Sequence, residues 1–181
     1  MRRRRSPGRP RAATAAAVLA AAALAAGACG YRLRGTGSSL PPHIRTVSIP
    51  MFRNQTTRFE LDVKLTRAVI NEFVARGKAA VTADAAAADA VLEGEITSFS
   101  ARPIGFSAAN QADKYSVTVT AKVTLRDRAS GRDLFANPSF VYRQDYDVPS
   151  GSNFESLEAE AIDRIATLFA RSLVASILEG F

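Results

Sequence analysis

From Lys114 to Arg126 the chain alternates strictly between apolar and polar side chains. Tyr115, Val117, Val119, Ala121, Val123 and Leu125 interleave with Ser116, Thr118, Thr120, Lys122 and Thr124. A period of two predicts a strand with one buried face and one polar face. The stretch Asp127 to Asp133 has Ser130-Gly131 at its centre and reads as a hairpin turn. Its returning strand is predicted over Leu134–Tyr146, interrupted at Asn137-Pro138 because proline cannot donate to a ladder. Weaker patterns predict strands over Ile44–Met51, Ala79–Thr82 and Ala90–Ser100. Phe52–Gln55 reads as a turn, and Asp84–Asp89 as an alanine-rich spacer.

Two segments have helical period instead. Thr57 and Glu60 have capping-box spacing, and Gly77 supplies a stop, so a helix is expected from there to about Arg76. Phe59, Val63, Leu65, Val69, Ile70, Phe73 and Val74 share one half of that cylinder; Glu60, Lys64, Arg67, Asn71 and Glu72 share the other. Asp62 falls in the apolar half, where a first-turn carboxylate suits the helix dipole. A second helix opens with Ser152-Asn153-Phe154-Glu155, again a capping box, and carries Leu157, Ile162, Ile165, Leu168, Phe169, Leu173, Ile177 and Leu178 towards Gly180. The order β-α-β-β-β-β-α predicts an α+β fold, with two long helices packed on one face of a four- to five-stranded, largely antiparallel (mixed) sheet. The other face then stays polar. Such a face is usually solvated, and it equally suits docking inside a wet cavity of a larger protein.

The N-terminus changes the picture. Arg2, Arg3, Arg4, Arg5, Arg9 and Arg11 precede an almost purely Ala/Leu/Val run from Ala12 to Ala28. That is the form of a secretory signal, and the run is short and weakly apolar against the roughly 20 residues a spanning helix needs. Leu24-Ala25-Ala26-Gly27-Ala28-Cys29-Gly30 resembles a lipobox, although Ala26 stands where leucine is usual. The lone cysteine, Cys29, is therefore the expected lipidation site, carrying a diacylglyceryl thioether and an N-linked acyl chain such as palmitate; unpaired cysteine is otherwise odd in an oxidising compartment. Gly30, in place of an inner-membrane-retaining Asp, suggests the periplasmic side of the outer membrane. The expected organisation is signal peptide 1–28, lipidated Cys29 and flexible Gly/Ser/Pro tether 29–43, and one domain over 44–181. No other stretch approaches a membrane span, so the remainder is expected to be water-soluble.

Charge matters only after this division. The formal charge of +7 suggests a nucleic-acid partner, but residues 1–28 hold six arginines and no acid. The rest keeps 18 of the 24 basic residues against all 17 acidic ones, a net of +1, which removes the reason to expect nucleic acid. His43 is the only histidine and lies in the tether, with no cluster of ligands for a metal. Triad and thiol chemistry lack a base or nucleophile pair. Glu93 and Glu95 alternate on one strand face, where two solvated acids are commoner than an acid/base pair. Gly35-Thr36-Gly37 does not lead directly into a helix, as a phosphate loop requires. Neither an enzyme nor a cofactor is expected. The hairpin arginines Arg126, Arg128 and Arg132 are candidate contacts for a partner; the alternative is a solvated turn balanced by Asp127 and Asp133.

Several segments together resemble the LPS-assembly lipoprotein family (LptE). They are Cys29-Gly30-Tyr31-Arg32-Leu33-Arg34-Gly35 behind the lipobox, "TVSIPMFRNQTT", "LTRAVINEFVARG", "ADAVLEGEITSFS", and "SVTVTAKVTLRDRASGRDLF" followed by "NPSF". The resemblance implies two helices on a four- or five-stranded sheet. It further implies a plug inside the outer-membrane β-barrel LptD that helps the barrel assemble and assists delivery of lipopolysaccharide to the outer leaflet. On that reading the hairpin arginines would face the barrel wall or the phosphates of lipid A, which arginine binds through forked hydrogen bonds. The segment "ADAVLEGEITSFS" also looks like LpoB-like and CsgG-like lipoproteins, which activate cell-wall synthases or form secretion pores. A lipid-anchored interaction module of that kind is the alternative.

Overall fold

A computed structural model describes residues 40–108, 110–149 and 154–179. The expected signal peptide, Cys29 and the first part of the expected tether lie outside them, as do Ser152 and Asn153 of the expected second capping box. Eight elements occur among the described residues: β1 Thr46–Ser48, β2 Arg53–Asn54, α1 Leu61–Arg76, β3 Ala80–Thr82, β4 Ala90–Phe106, β5 Ala112–Asp127, β6 Asp133–Asp147 and α2 Phe154–Glu179. The strands form one mixed sheet in the order β3-β1-β4-β5-β6, with β2 pairing β4 off that path. Pairs β1–β3, β1–β4 and β2–β4 are parallel; β4–β5 and β5–β6 are antiparallel.

The predicted α+β class, with two helices on a mixed sheet, is the observed one, with six strands rather than four or five. The extra strand is β2, in the expected turn. β1 is shorter than predicted: Ile44 and Ile49 are buried, but Pro50 has no N–H to extend the ladder. β4 outruns its expected end at Ser100, and beyond it the Ser107 amide donates to the Gln111 carbonyl on the way into β5. Register shifts at Ile96/Ser98, Pro103/Gly105 and Gly105/Phe106 absorb the proline and glycine that break the alternation there. Asn137-Pro138 interrupts the ladder without ending the strand: Ala121 pairs Phe140 while Val123 pairs Asn137, a bulge holding the proline out of the hydrogen-bonded register.

α1 starts later than its sequence suggests. Glu60 adopts a left-handed conformation at φ 59°, and no side chain caps the helix. Local bonds hold the preceding residues in another arrangement. Asn54 Oδ1 accepts from the Thr56 amide (2.9 Å) and hydroxyl (2.7 Å), and Thr56 Oγ1 accepts from the Arg58 amide at 3.2 Å. Polar side chains that satisfy the backbone this way compete with helix formation. The buried stripe runs in four-residue steps through Leu61, Leu65, Val69 and Phe73. Phe59, Val63 and Val74, expected in the core, are exposed instead: Val63 and Val74 lie nearly half a turn from the centre of that stripe, and Phe59 precedes the helix altogether. The expected stop is present: Gly77, at φ 60°, donates to the carbonyls of Phe73 and Val74.

α1 packs on α2 and on the β2/β3 side, and α2 packs on β5 and β6. Phe140 and Phe169 meet edge to face, with centroids 5.3 Å apart. Ion pairs bridge the two helices at Lys64–Asp163 (2.6 Å) and Arg76–Glu179 (3.4 Å), and Arg58 reaches Glu158 at 2.8 Å. Leu40 is already buried and the Ile44 amide donates to Pro41, so residues 40–43, expected within the tether, pack with the domain.

Candidate docking surface

Both faces of β5 follow from its alternation. Val117, Val119, Ala121, Val123 and Leu125 are fully buried under the helices. Ser116, Thr118, Thr120, Lys122, Thr124 and Arg126 form the opposite face, flanked through strand pairing by Glu93 and Glu95 of β4 and by Val141, Arg143 and Asp145 of β6. The charges are interspersed: Glu95 stands opposite Lys122 and beside Arg53, and Gln55 donates to Glu95. Arg143 Nε donates to Thr118 Oγ1 at 3.4 Å.

A shallow cleft of about 330 Å³ opens on this face between β2, β4 and β5, lined by Pro50, Met51, Arg53, Glu93, Gly94, Glu95, Lys122 and Thr124. A Cβ on Gly94 would lie 2.6 Å from the Phe52 ring. The glycine therefore lets Phe52 pack against the covered side of the sheet at the floor of the cleft. Glu93 and Glu95 lie on the open face beside Lys122, without a buried partner that would split their roles into acid and base.

The β5–β6 turn is built on Asp127, the last inward position of β5 and itself buried. Its carboxylate accepts from the Ser130 hydroxyl (2.7 Å), the Ala129 amide (2.9 Å) and His43 Nε2 (3.1 Å). Its pKa is lowered to about 2, chiefly by the Ser130 hydroxyl; this outweighs the loss of hydration that acts upward, with the Ala129 amide and His43 adding to the lowering. Gly131 takes φ 68° at the turn, the left-handed region open to glycine.

The three candidate arginines differ. Arg126 Nε is held by Asp133 at 2.9 Å, which raises its pKa. Arg128 Nη1 donates to the carbonyls of Ala86 and, at 3.1 Å, Ala88, so it clasps the alanine-rich loop. Arg132 is exposed, and among the described residues its guanidinium has no partner. Asp89 ties the same loop to β1, accepting from the amides of Arg45 and Thr46 (both 2.9 Å) and from the Thr46 hydroxyl (2.8 Å). These bonds, led by the Arg45 amide, hold its carboxyl below the usual range. In the sequence alone Asp127 reads as charge balance and Asp89 as part of a spacer. The Asp127-x-x-Ser130-Gly131 spacing was the available sign of a side-chain-stabilised turn.

The far end of the same ribbon, unassigned from sequence, exposes Ile104 and Phe106, 51% and 60% accessible, beside a turn closed by the Ser107 amide donating to Gln111 at 2.8 Å. Among the described residues no cluster of His, Cys, Asp and Glu suits a metal, and no helix is long and apolar enough to cross a membrane.

Residues 44–177, the two-helix α+β domain with its one bare polar sheet face, match the family model "LptE: Lipopolysaccharide-assembly". The chain belongs to the LptE family. It is a lipopolysaccharide-assembly lipoprotein of the cell envelope, in a family without enzymatic activity. The hypothetical protein CT253 from Chlamydia trachomatis shares the fold, with a TM-score of 0.53 and 12% identity over 76% of this chain and 97% of that one. More distant are lipoprotein GNA1162 from Neisseria meningitidis (TM-score 0.42, 15% identity, 67% of this chain and 98% of that one) and lipoprotein B from Nitrosomonas europaea (0.46, 16%, 81% and 91%). Against curated proteins the sequence finds no match.

Proposed function

We propose that this LptE-family chain is anchored by lipidated Cys29 on the periplasmic side of the outer membrane, at the end of a tether that follows a signal peptide. There it plugs the β-barrel LptD, helps that barrel assemble and assists lipopolysaccharide delivery to the outer leaflet, without catalysing a reaction. The observation that carries the reading is the bare sheet face. Its Thr, Ser, Lys and Glu side chains remain hydrated or hydrogen-bonded inside a wet lumen, while the helices supply the protein's own core. Of the hairpin arginines, Arg132 is the best phosphate ligand, since its guanidinium has no partner among the described residues to give up. Arg126 and Arg128 would have to leave Asp133 and the Ala86–Ala88 carbonyls first.

Affinity purification of the tagged full chain from detergent-solubilised membranes tests this. Recovery of an integral β-barrel in about equal amount supports the plug. Recovery of a penicillin-binding protein, with no barrel, transfers the chain to the LpoB-like class. Cys29→Ala should move the chain out of the membrane fraction when the barrel is depleted, and unchanged membrane binding would remove the anchor from the account.

A further inference from the structure

β6 ends the sheet path, and among the described residues β5 is its only pairing partner. The two halves of its outer edge differ. The bulge at Asn137–Phe140 and the missing N–H of Pro138 close the first half to another strand. From Phe140 to Asp147 the register with β5 is unbroken, and no proline occurs. Arg143 and Asp145 stand on the bare face of this half, exposed and outside every ion pair among the described residues.

We propose that the free protein pairs with a second copy of itself through this edge, antiparallel, with Gln144 on the two-fold axis. The sequence Tyr142-Arg143-Gln144-Asp145-Tyr146 is complementary to its own reversal. With Gln144 opposite Gln144, each Arg143 faces the other copy's Asp145, and each Tyr142 faces the other copy's Tyr146. An axis perpendicular to the sheet preserves its faces, so only residues of like parity can oppose each other. Moving the axis one residue either way therefore sets Arg143 against Arg143 or Asp145 against Asp145. Like charges directly opposed disfavour pairing, whereas opposite charges and aromatic pairs favour it. Gln144 is the axis within this stretch that matches both pairs. The product is an isologous interface in which one sheet runs through both copies, bare faces on the same side. This surface is independent of the plug reading: it removes an open strand edge from the unassembled protein, where such an edge is an aggregation hazard.

The test uses the full-length lipoprotein in density-matched detergent and sedimentation equilibrium. The wild type should show twice the single-chain protein mass in a concentration-dependent manner. Arg143→Asp or Asp145→Arg alone should weaken dimerisation by about tenfold, since two attractive pairs become repulsive. The double exchange, Arg143→Asp with Asp145→Arg, should restore it, and that rescue separates loss of pairing from loss of fold. Gln144→Cys, opposed to itself on the axis, should form a disulfide-linked dimer on mild oxidation, while Val141→Cys and the wild type do not. A single-chain mass at every concentration overturns the proposal. So does a dimer indifferent to the charge exchanges, or a Gln144→Cys variant that links to a barrel protein rather than to a second copy.

Discussion

Val119 and Thr118 are neighbours in β5, yet one is fully buried beneath the helices and the other lies on the open face. The same division runs through the α1 region, where Phe73 is fully buried and Phe59, just before the helix, is 93% exposed. The covered side is where apolar area leaves water, and it holds the fold together. The open side, relieved of that task, carries hydroxyls and mixed charges suited to a hydrated partner. One strand can serve both purposes because its side chains alternate, so changes on one side should leave the other nearly untouched.

The sharpest contrast is between two phenylalanines. Phe73→Ala should destabilise the fold by about 3–5 kcal/mol. Phe59→Ala should stay within about 0.5 kcal/mol. Chemical denaturation measures both, and equal effects would dissolve the distinction between the sides. Next comes Gly94→Ala, which drives a methyl group into the buried Phe52 ring and should cost roughly 1–3 kcal/mol. A melting temperature unchanged by this substitution would mean that Phe52 is free to move away.

Asp127 carries a charge to the end of the covered side, and its effect should depend on pH. Its pKa falls from the ordinary 3.8 to about 2 in the folded protein. A lowered carboxylate pKa contributes stability that is fully present above the unfolded value and is lost as pH falls through the folded one. The gap in melting temperature between wild type and Asp127→Asn should therefore be steady above pH ~5 and close towards pH ~2. A gap that widens on acidification would reverse the sign and contradict the Ser130 and Ala129 bonds. Thr118→Ala gives the smallest effect, near zero on stability.

The alternation in β5 and the four-residue apolar steps of α1 made the class of fold and the buried side of β5 legible, because period is a property of sequence alone. Three features were not. The start of α1 depends on Asn54 and Thr56 closing a local turn, which competes with the capping pattern at Thr57 and Glu60. The far end of the β4–β5 ribbon is built on bulges around Pro103 and Gly105, where the period of two fails. The work of Arg128 depends on the alanine-rich loop lying beside the β5–β6 turn, some 40 residues away in sequence. Local pattern carries no trace of such a contact. At the candidate docking surface, the polar side of β5 is readable from sequence, whereas the cleft needs β2, a two-residue strand with no periodic signal.

The most direct measurement of the central claim is site-specific photo-crosslinking in intact cells. A photoreactive side chain at Thr120 or Thr124, on the open face, should link the protein to an outer-membrane β-barrel, while one at the exposed end of α2, Glu179, should do so weakly. Links from the open face to soluble or inner-membrane proteins, with none to a barrel, would contradict the account.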